Sequence, residues 1–69
     1  MSHISKTAAS ILWDVINTGQ AVVALHHTRE MDAAQALLDQ GIVYLHAGSD
    51  TLWILKAGRR PFGHQTVAI

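Results

Sequence analysis

Residues 28–57 read TREMDAAQALLDQGIVYLHAGSDTLWILKA and carry the strongest structural signals of the chain. In the first part of this stretch, from Met31 to Leu38, apolar residues recur at intervals of three and four, which is the spacing of one helix face. Thr28 is a candidate N-cap, and Gly41 stands where helices commonly end. The pattern predicts a helix that follows its N-cap at Thr28 and runs to Gln40, just before Gly41.

Two apolar segments follow, residues 42–46 and 51–57, and residues 47–50 between them contain the turn-forming types Gly, Ser and Asp. This arrangement predicts an antiparallel hairpin. Neither segment alternates apolar with polar residues, as a strand with one solvated face would. We therefore expect helices to cover one face of the hairpin, and the C-terminal segment or a second molecule to cover the other. Alternation places four pairs on common faces: Val43 with Leu45, Tyr44 with His46, Leu52 with Ile54, and Trp53 with Leu55.

Upstream of this region, the sequence predicts a first helix from Ser5 to Thr18. Ser5 is its candidate N-cap, and Gly19 provides the left-handed stop. Trp13 falls outside the apolar stripe of this helix, so it is either a rim residue of the core or an interface anchor. The stripe itself consists of Ile4, Ala8, Ile11, Leu12, Val15 and Ile16.

The remaining segments have weaker patterns. Residues 20–28 contain a short apolar block compatible with a buried strand or a short helix, and its β-branched residues favour the strand. Residues 58–63 predict a loop because they contain two glycines and the only proline, and residues 64–69 form either a last strand or a tail. Residues 1–69 together predict one small α+β domain, ordered helix, strand, helix and hairpin, with both helices on one face of a short antiparallel sheet.

Composition limits the class of protein. A chain of 69 residues without cysteine builds neither a disulfide scaffold nor a thiolate zinc site. Its hydrophobic content of 49% is too high for a disordered tail, and its formal net charge of zero argues against a polybasic binder of nucleic acid or membranes. Chains this short bury only about 60% of their unfolded surface, so we expect a homodimer. No secretory signal or membrane span is visible, and the expected location is cytoplasmic.

Candidate chemistry is sparse in this sequence. The five histidines include neither a helical HxxxH pair nor an HExxH motif, so we expect no metal ligands and no cofactor. The acids are dispersed, and Glu30 and Asp32 point to different sides of a helix instead of forming an acid–base pair. Glycine-rich phosphate loops are missing. We therefore expect no catalytic residues and no enzymatic activity.

Residues 28–57 also resemble the end of a winged helix-turn-helix domain. In that family, the recognition helix runs through a Leu-Leu-x-x-Gly-Ile/Val stop into a two-stranded wing, and the segment Leu37-Leu38-Asp39-Gln40-Gly41-Ile42 matches this pattern. The resemblance implies an alternative fold and function, a winged-helix transcription regulator that binds DNA. The chain departs from the family because residues 29–40 hold Arg29 as their only base against three acids, whereas DNA recognition needs donors for phosphates and base edges. We therefore expect a protein-binding or dimerising version without a nucleic-acid partner.

Charge is unevenly distributed along the chain. Residues 1–50 contain two bases and five acids, a net charge of −3, whereas residues 51–69 contain three bases and no acid. The three bases are Lys56, Arg59 and Arg60. The basic loop, with Phe62 as its apolar tip, is either a solvated loop or a docking element for an acidic surface or a phosphate.

These observations predict a non-enzymatic interaction protein. Small, cysteine-free, alanine-rich chains without catalytic motifs are typical of accessory or inhibitory proteins of bacteria, phages and plasmids, and we expect a homodimer that binds a larger protein partner. Trp, Tyr and Arg dominate interface energetics. The expected partner-binding residues are accordingly Trp13, Arg59, Arg60 and Phe62. The expected dimer-interface residues are Tyr44, Trp53 and Leu55.

Overall fold

The structure is a computed structural model that describes residues 5–69, in which helices and strands follow one another in the predicted order. The elements are α1 (Lys6–Thr18), β1 (Ala21–Ala24), α2 (Thr28–Asp39), β2 (Val43–Gly48), β3 (Leu52–Ala57) and β4 (Val67–Ala68). The predicted α+β class is confirmed. Ile4, which was expected in the stripe of the first helix, lies outside the described residues.

Helix α1 begins and ends as its sequence predicts. The backbone N–H of Ala8 donates a hydrogen bond of 3.1 Å to Oγ of Ser5, which confirms Ser5 as the N-cap. At the other end, Gly19 adopts a left-handed conformation with φ 89°, and its N–H donates to the carbonyl of Val15. The predicted apolar stripe is wrong for Ile16, which is 75% exposed because it lies too far around the helix to reach the sheet.

Residues 20–28, for which strand and short helix were both open, contain the strand β1 at Ala21–Ala24. It pairs antiparallel with β3, with Ala21 opposite Leu55 and Ala24 opposite Leu52. Burial alternates along the strand, because Ala21 and Val23 are buried while Val22 between them is 60% exposed. This alternation is the signature of a strand covered on one face.

Helix α2 forms where predicted, but Thr28 is not its N-cap. Thr28 already belongs to the helix, and His27 occupies the cap position without a side-chain cap hydrogen bond. The helix begins one residue early because the carbonyl of His27 accepts the first helical hydrogen bond, from the N–H of Met31 at 2.9 Å. The helix ends before Gly41, which has a positive φ of 74°.

Strands β2 and β3 form the predicted antiparallel hairpin, with an irregularity at His46. Tyr44 lies opposite Lys56 and Leu45 opposite Leu55, after which the register shifts between Leu45 and Ala47. His46 is the extra residue of this β-bulge. Strand β2 continues to Gly48, so the connecting turn is shorter than residues 47–50 predicted.

A hydroxyl group organises this turn. Oγ of Ser49 accepts hydrogen bonds from the N–H groups of Thr51 and Leu52, each at 3.2 Å. The backbone N–H of Ser49 in turn donates to the carbonyl of Leu52 at 2.9 Å. Serine at this position therefore closes the hairpin through its side chain and its main chain together.

The expectation of a purely antiparallel sheet is wrong, because the last segment adds a parallel strand and makes the sheet mixed. Strand β4 pairs in parallel with β2, with Val67 opposite Ala47 and Ala68 opposite Gly48. The strand order is β1-β3-β2-β4. The chain must therefore cross β2 between the end of β3 and the start of β4.

Both helices cover one face of the sheet, as predicted, and the core lies between the two layers. The buried residues of this core are Ala8, Ile11, Val15, Ala21, Val23, Ala33, Ala34, Leu37, Val43 and Leu55. Leu45 and Trp53 are partly buried and pack against it, so they point to the same inner face. We call the opposite face of the sheet, away from the helices, the open face. According to the strand registers, it carries Val22, Tyr44, Ile54 and Lys56.

The winged helix-turn-helix alternative is wrong for residues 5–69. A helix-turn-helix unit needs two helices joined by a turn of three or four residues. Here α2 is the only helix between β1 and β2, and β1 separates it from α1. The helix stop and hairpin that carried the resemblance are present, but the paired helices of the motif are not formed.

Candidate functional site

Helix α1 presents an exposed apolar surface on the side that faces away from the sheet. Ala9, Trp13 and Ile16 follow one another at intervals of four and three residues, and they define what we call the α1 surface. Trp13 is 67% exposed, so it is not a rim residue of the core. The carbonyl of Trp13 accepts a hydrogen bond of 2.8 Å from Nδ2 of Asn17, which ties this turn of the helix together.

The α1 surface is held rigidly by the core beneath it. Helix α1 contacts α2, β1 and β3, and its buried residues Ala8, Ile11 and Val15 belong to the core cluster. Leu12, which is partly buried, links this inner side to the exposed one. An exposed indole on a fixed helix loses little conformational freedom on binding, which is a property of interface anchors.

Residues 58–69, which we call the strap, lie against β2. The N–H of Gly58 donates to the carbonyl of Ile42 at 2.8 Å, and the N–H of Ile69 donates to the carbonyl of Gly48 at 3.1 Å. Between these ends, Oγ1 of Thr66 donates to the carbonyl of Leu45 at 3.3 Å and accepts from Nη2 of Arg60 at 3.1 Å. The strap thus follows β2 along most of its length.

Three aromatic rings join the strap to the open face of the sheet. The ring of His64 stacks on the ring of His46, with centroids 5.2 Å apart and planes inclined by 19°. Tyr44 meets the edges of both rings, at 5.5 Å from His64 and 6.3 Å from His46. The C-terminal segment therefore covers the part of the open face around Tyr44, one of the two coverings that the hairpin pattern predicted.

The environment of His46 favours its uncharged form. Burial of the ring, followed by the nearby Lys56 ammonium and the His64 ring, lowers the pKa of His46 below its ordinary value of 6.5. Two ring nitrogens in the cluster, Nδ1 of His46 and Nε2 of His64, are buried without a hydrogen-bond partner among the described residues. Nδ1 of His46 therefore has no acceptor among residues 5–69 that would hold an added proton.

An open groove of about 310 Å³ lies between the first turn of α1 and α2. Ala8, Ala33 and Leu37 form its apolar floor, while Arg29 and Asp32 stand at its rim. The rim supplies one acid and one base, without a nucleophile activated by a neighbouring group. Its other lining residues are Ser5, Ala36 and Gln40.

The structure separates the residues that were expected at the dimer interface. Leu55 is fully buried under the helices and Trp53 packs against the same core, so both belong to the inner face. Tyr44 lies on the open face beneath His64. The three residues therefore do not share one surface: Tyr44 pairs with Lys56, the residue after Leu55, and successive residues of a strand point to opposite faces.

The expected partner-binding residues lie in two places. Trp13 projects from the helix layer, whereas Arg59, Arg60 and Phe62 belong to the strap beside β2. All four are exposed, and Phe62 is fully so. Sequence patterns did not single out His64, because its contact with His46 depends on the strap crossing β2, which no local pattern encodes.

Within residues 5–69, no group of three or more His, Cys, Asp or Glu side chains is placed to hold a metal ion. None of the helices described here has the length and apolar character needed to cross a membrane. Comparison with protein-family models, curated proteins and solved structures finds no match to this chain. Functional inference therefore rests on the surfaces themselves.

Proposed function

We propose that this chain is a non-enzymatic protein-interaction module that forms a homodimer through the α1 surface and acts as an accessory or inhibitory protein on a larger protein partner. The observation that carries the proposal is the exposure of Trp13 and Ile16 on one side of a well-packed helix. Large apolar side chains grouped on a rigid exposed surface are typical of interaction sites.

The α1 surface has the shape expected for pairing with a second copy of itself. Ala9 and Trp13 lie one helical turn apart on the same side, so a small and a large side chain are neighbours. When two such helices pair antiparallel about a two-fold axis, each Trp13 lies over the Ala9 of the other copy. This arrangement fills the space above each alanine without displacing the backbone.

Charges along α1 favour the same antiparallel arrangement. Lys6 stands in the first turn of α1 and Asp14 in its second half, and both are exposed. Antiparallel pairing brings the Lys6 end of one helix towards the Asp14 end of the other, whereas parallel pairing superposes like charges. Exposed pairs of this kind contribute little affinity, but they select orientation.

The size of the surface sets the expected strength of the dimer. A helix of 13 residues is about 20 Å long, and one exposed side of it is smaller than the roughly 800 Å² per partner that typical stable interfaces bury. We therefore expect a dimer that dissociates on dilution. The exposed Arg59, Arg60 and Phe62 of the strap remain free in this dimer, and they supply cations and an apolar tip for an acidic surface of the larger partner.

The test is the mass in solution by size-exclusion chromatography with light scattering over a range of concentrations. The proposal expects a mass that rises towards twice 7.5 kDa with concentration, and a Trp13→Ala variant that remains monomeric over the same range. Val22→Ala is the matched control, because it removes an exposed apolar side chain from the sheet instead of the helix, and it should dimerise normally. A wild-type monomer at every concentration, or an unchanged Trp13→Ala dimer, contradicts the proposed interface.

A further inference from the structure

We propose that the strap, residues 58–69, is a pH-sensitive cover that lies on β2 when His46 is neutral and leaves the sheet when His46 is protonated. This regulation is separate from the proposed self-association, because the strap and the α1 surface lie on different layers of the molecule. Its basis is the contact between His46 and His64, together with the scarcity of other contacts that hold the strap.

His64 is the anchor of the strap. Every other residue from Gly58 to Ile69 is exposed, whereas the His64 side chain is partly buried against Tyr44 and His46. The apolar residues of the strap do not share this role, since Phe62, Val67 and Ile69 all stay exposed. The strap is thus held by one stacked ring and a few hydrogen bonds at its edge.

An added positive charge on His46 destabilises its stacking contact with His64, because the surrounding groups are neutral or cationic. His46 is faced by Tyr44 from its own strand, by Lys56 from β3, and by His64 from the strap, which also carries Arg60. None of these elements supplies a carboxylate side chain, because neither residues 43–48 nor residues 51–69 contain Asp or Glu. A proton on His46 therefore places a cation beside a second ring and an ammonium group, without a counter-ion.

Backbone contacts are too few to retain the strap once the stack is lost. Strand β4 contains two residues, which pair with Ala47 and Gly48. No strap residue belongs to the core cluster. The strap can therefore open while both helices and the other three strands remain folded, as a local unit of low stability.

The direction of the pH effect follows from the protonation of His46. Above a pH of about 6.5, the ordinary pKa of histidine, the ring is neutral in both the docked and the open states, so acidity does not affect docking. As the pH falls below this value, the open state binds a proton more readily than the docked state, because the pKa of docked His46 is lowered. Acid therefore shifts the strap towards release, and release exposes Tyr44 and the outer edge of β2.

The experiment is amide hydrogen exchange by NMR on the intact chain at pH 7.5 and pH 5.5, expressed as protection factors. The reporter is the N–H of Ile69, which donates to the carbonyl of Gly48 in the docked strap. We expect its protection to fall on acidification, by up to about tenfold per pH unit for one linked proton. The amide of the fully buried Leu37 in α2 should keep its protection. Equal protection of Ile69 at both pH values, or a parallel loss at Leu37, overturns the proposal.

Two variants link the effect to the stacked rings. His46→Phe keeps an aromatic ring that cannot be protonated, so the protection of Ile69 should become independent of pH. His27→Phe changes an exposed histidine of the turn before α2 and should behave as the wild type does. His64→Ala removes the anchor without touching the core, and it should give low protection at both pH values even if His46→Phe does not fold. The mechanism is contradicted if the protection of the Ile69 amide still depends on pH in His46→Phe. It is also contradicted if this amide keeps its normal protection in His64→Ala.

Discussion

Gly48 and Trp53 face each other across the hairpin, and a Cβ atom added to Gly48 would lie 3.1 Å from Cδ1 of the Trp53 ring. The same atom would lie 3.7 Å from Cδ1 of Leu45. Glycine suits this close approach on the inner face, since any other residue here would need the indole to move by a few tenths of an ångström. This contact explains how a large aromatic residue fits under the helices of so small a domain.

Gly48→Ala is expected to destabilise the fold by about 1–3 kcal/mol, because the indole must move within a packed layer. The free energy of unfolding measured with urea gives the test. In a Trp53→Leu background, the same substitution should cost much less, since the obstructing ring is gone. An equal cost in both backgrounds would show that the indole is not the obstacle.

Ser5→Ala removes the side-chain oxygen that accepts a hydrogen bond from Ala8 at the start of α1. The expected loss is about 1 kcal/mol of unfolding free energy. Ser10→Ala is the matched control, because Ser10 is an exposed residue within the same helix and alanine suits helix interiors. If the two variants have the same midpoint of urea unfolding, Ser5 does not act as a cap in solution.

Leu37→Ala leaves a cavity in the middle of the core, where Leu37 is fully buried between the helices and the sheet. Such changes cost about 2–5 kcal/mol, which is most of the stability available to a domain of this size. We expect the variant to be largely unfolded at 37 °C by circular dichroism. Val22→Ala, which shortens a 60% exposed side chain, should unfold close to the wild-type temperature.

Thermal stability should depend on His46 between pH 7.5 and pH 5.5. Since the pKa of folded His46 is lowered, its contribution is fully present above a pH of about 6.5 and is lost as the pH falls below that value. The melting temperature of the wild type should therefore decrease over this interval more than that of His46→Phe. Identical pH profiles for the two proteins would exclude His46 as the titrating group.

Much of this architecture could be predicted from local sequence patterns. The cap at Ser5, the stop at Gly19, the hairpin and the second helix all depend on residues close together in the chain. The patterns failed where the outcome depended on distant contacts. The pairs Tyr44–His46 and Trp53–Leu55 could be predicted, but an uninterrupted apolar run does not reveal which pair the helices cover. The parallel addition of β4 was likewise hidden, because Val67 pairs with Ala47, a residue distant in the chain.

The small number of contacts that hold β4 has a consequence for the kinetics of folding. Docking the strap closes a long loop for two backbone pairs and one partly buried ring, so the entropy of loop closure is only weakly repaid until the hairpin exists. The strap should therefore join after the rate-limiting step of folding. Substitutions at Val67 should then accelerate unfolding while leaving the refolding rate unchanged, which is the kinetic behaviour of contacts absent from the transition state.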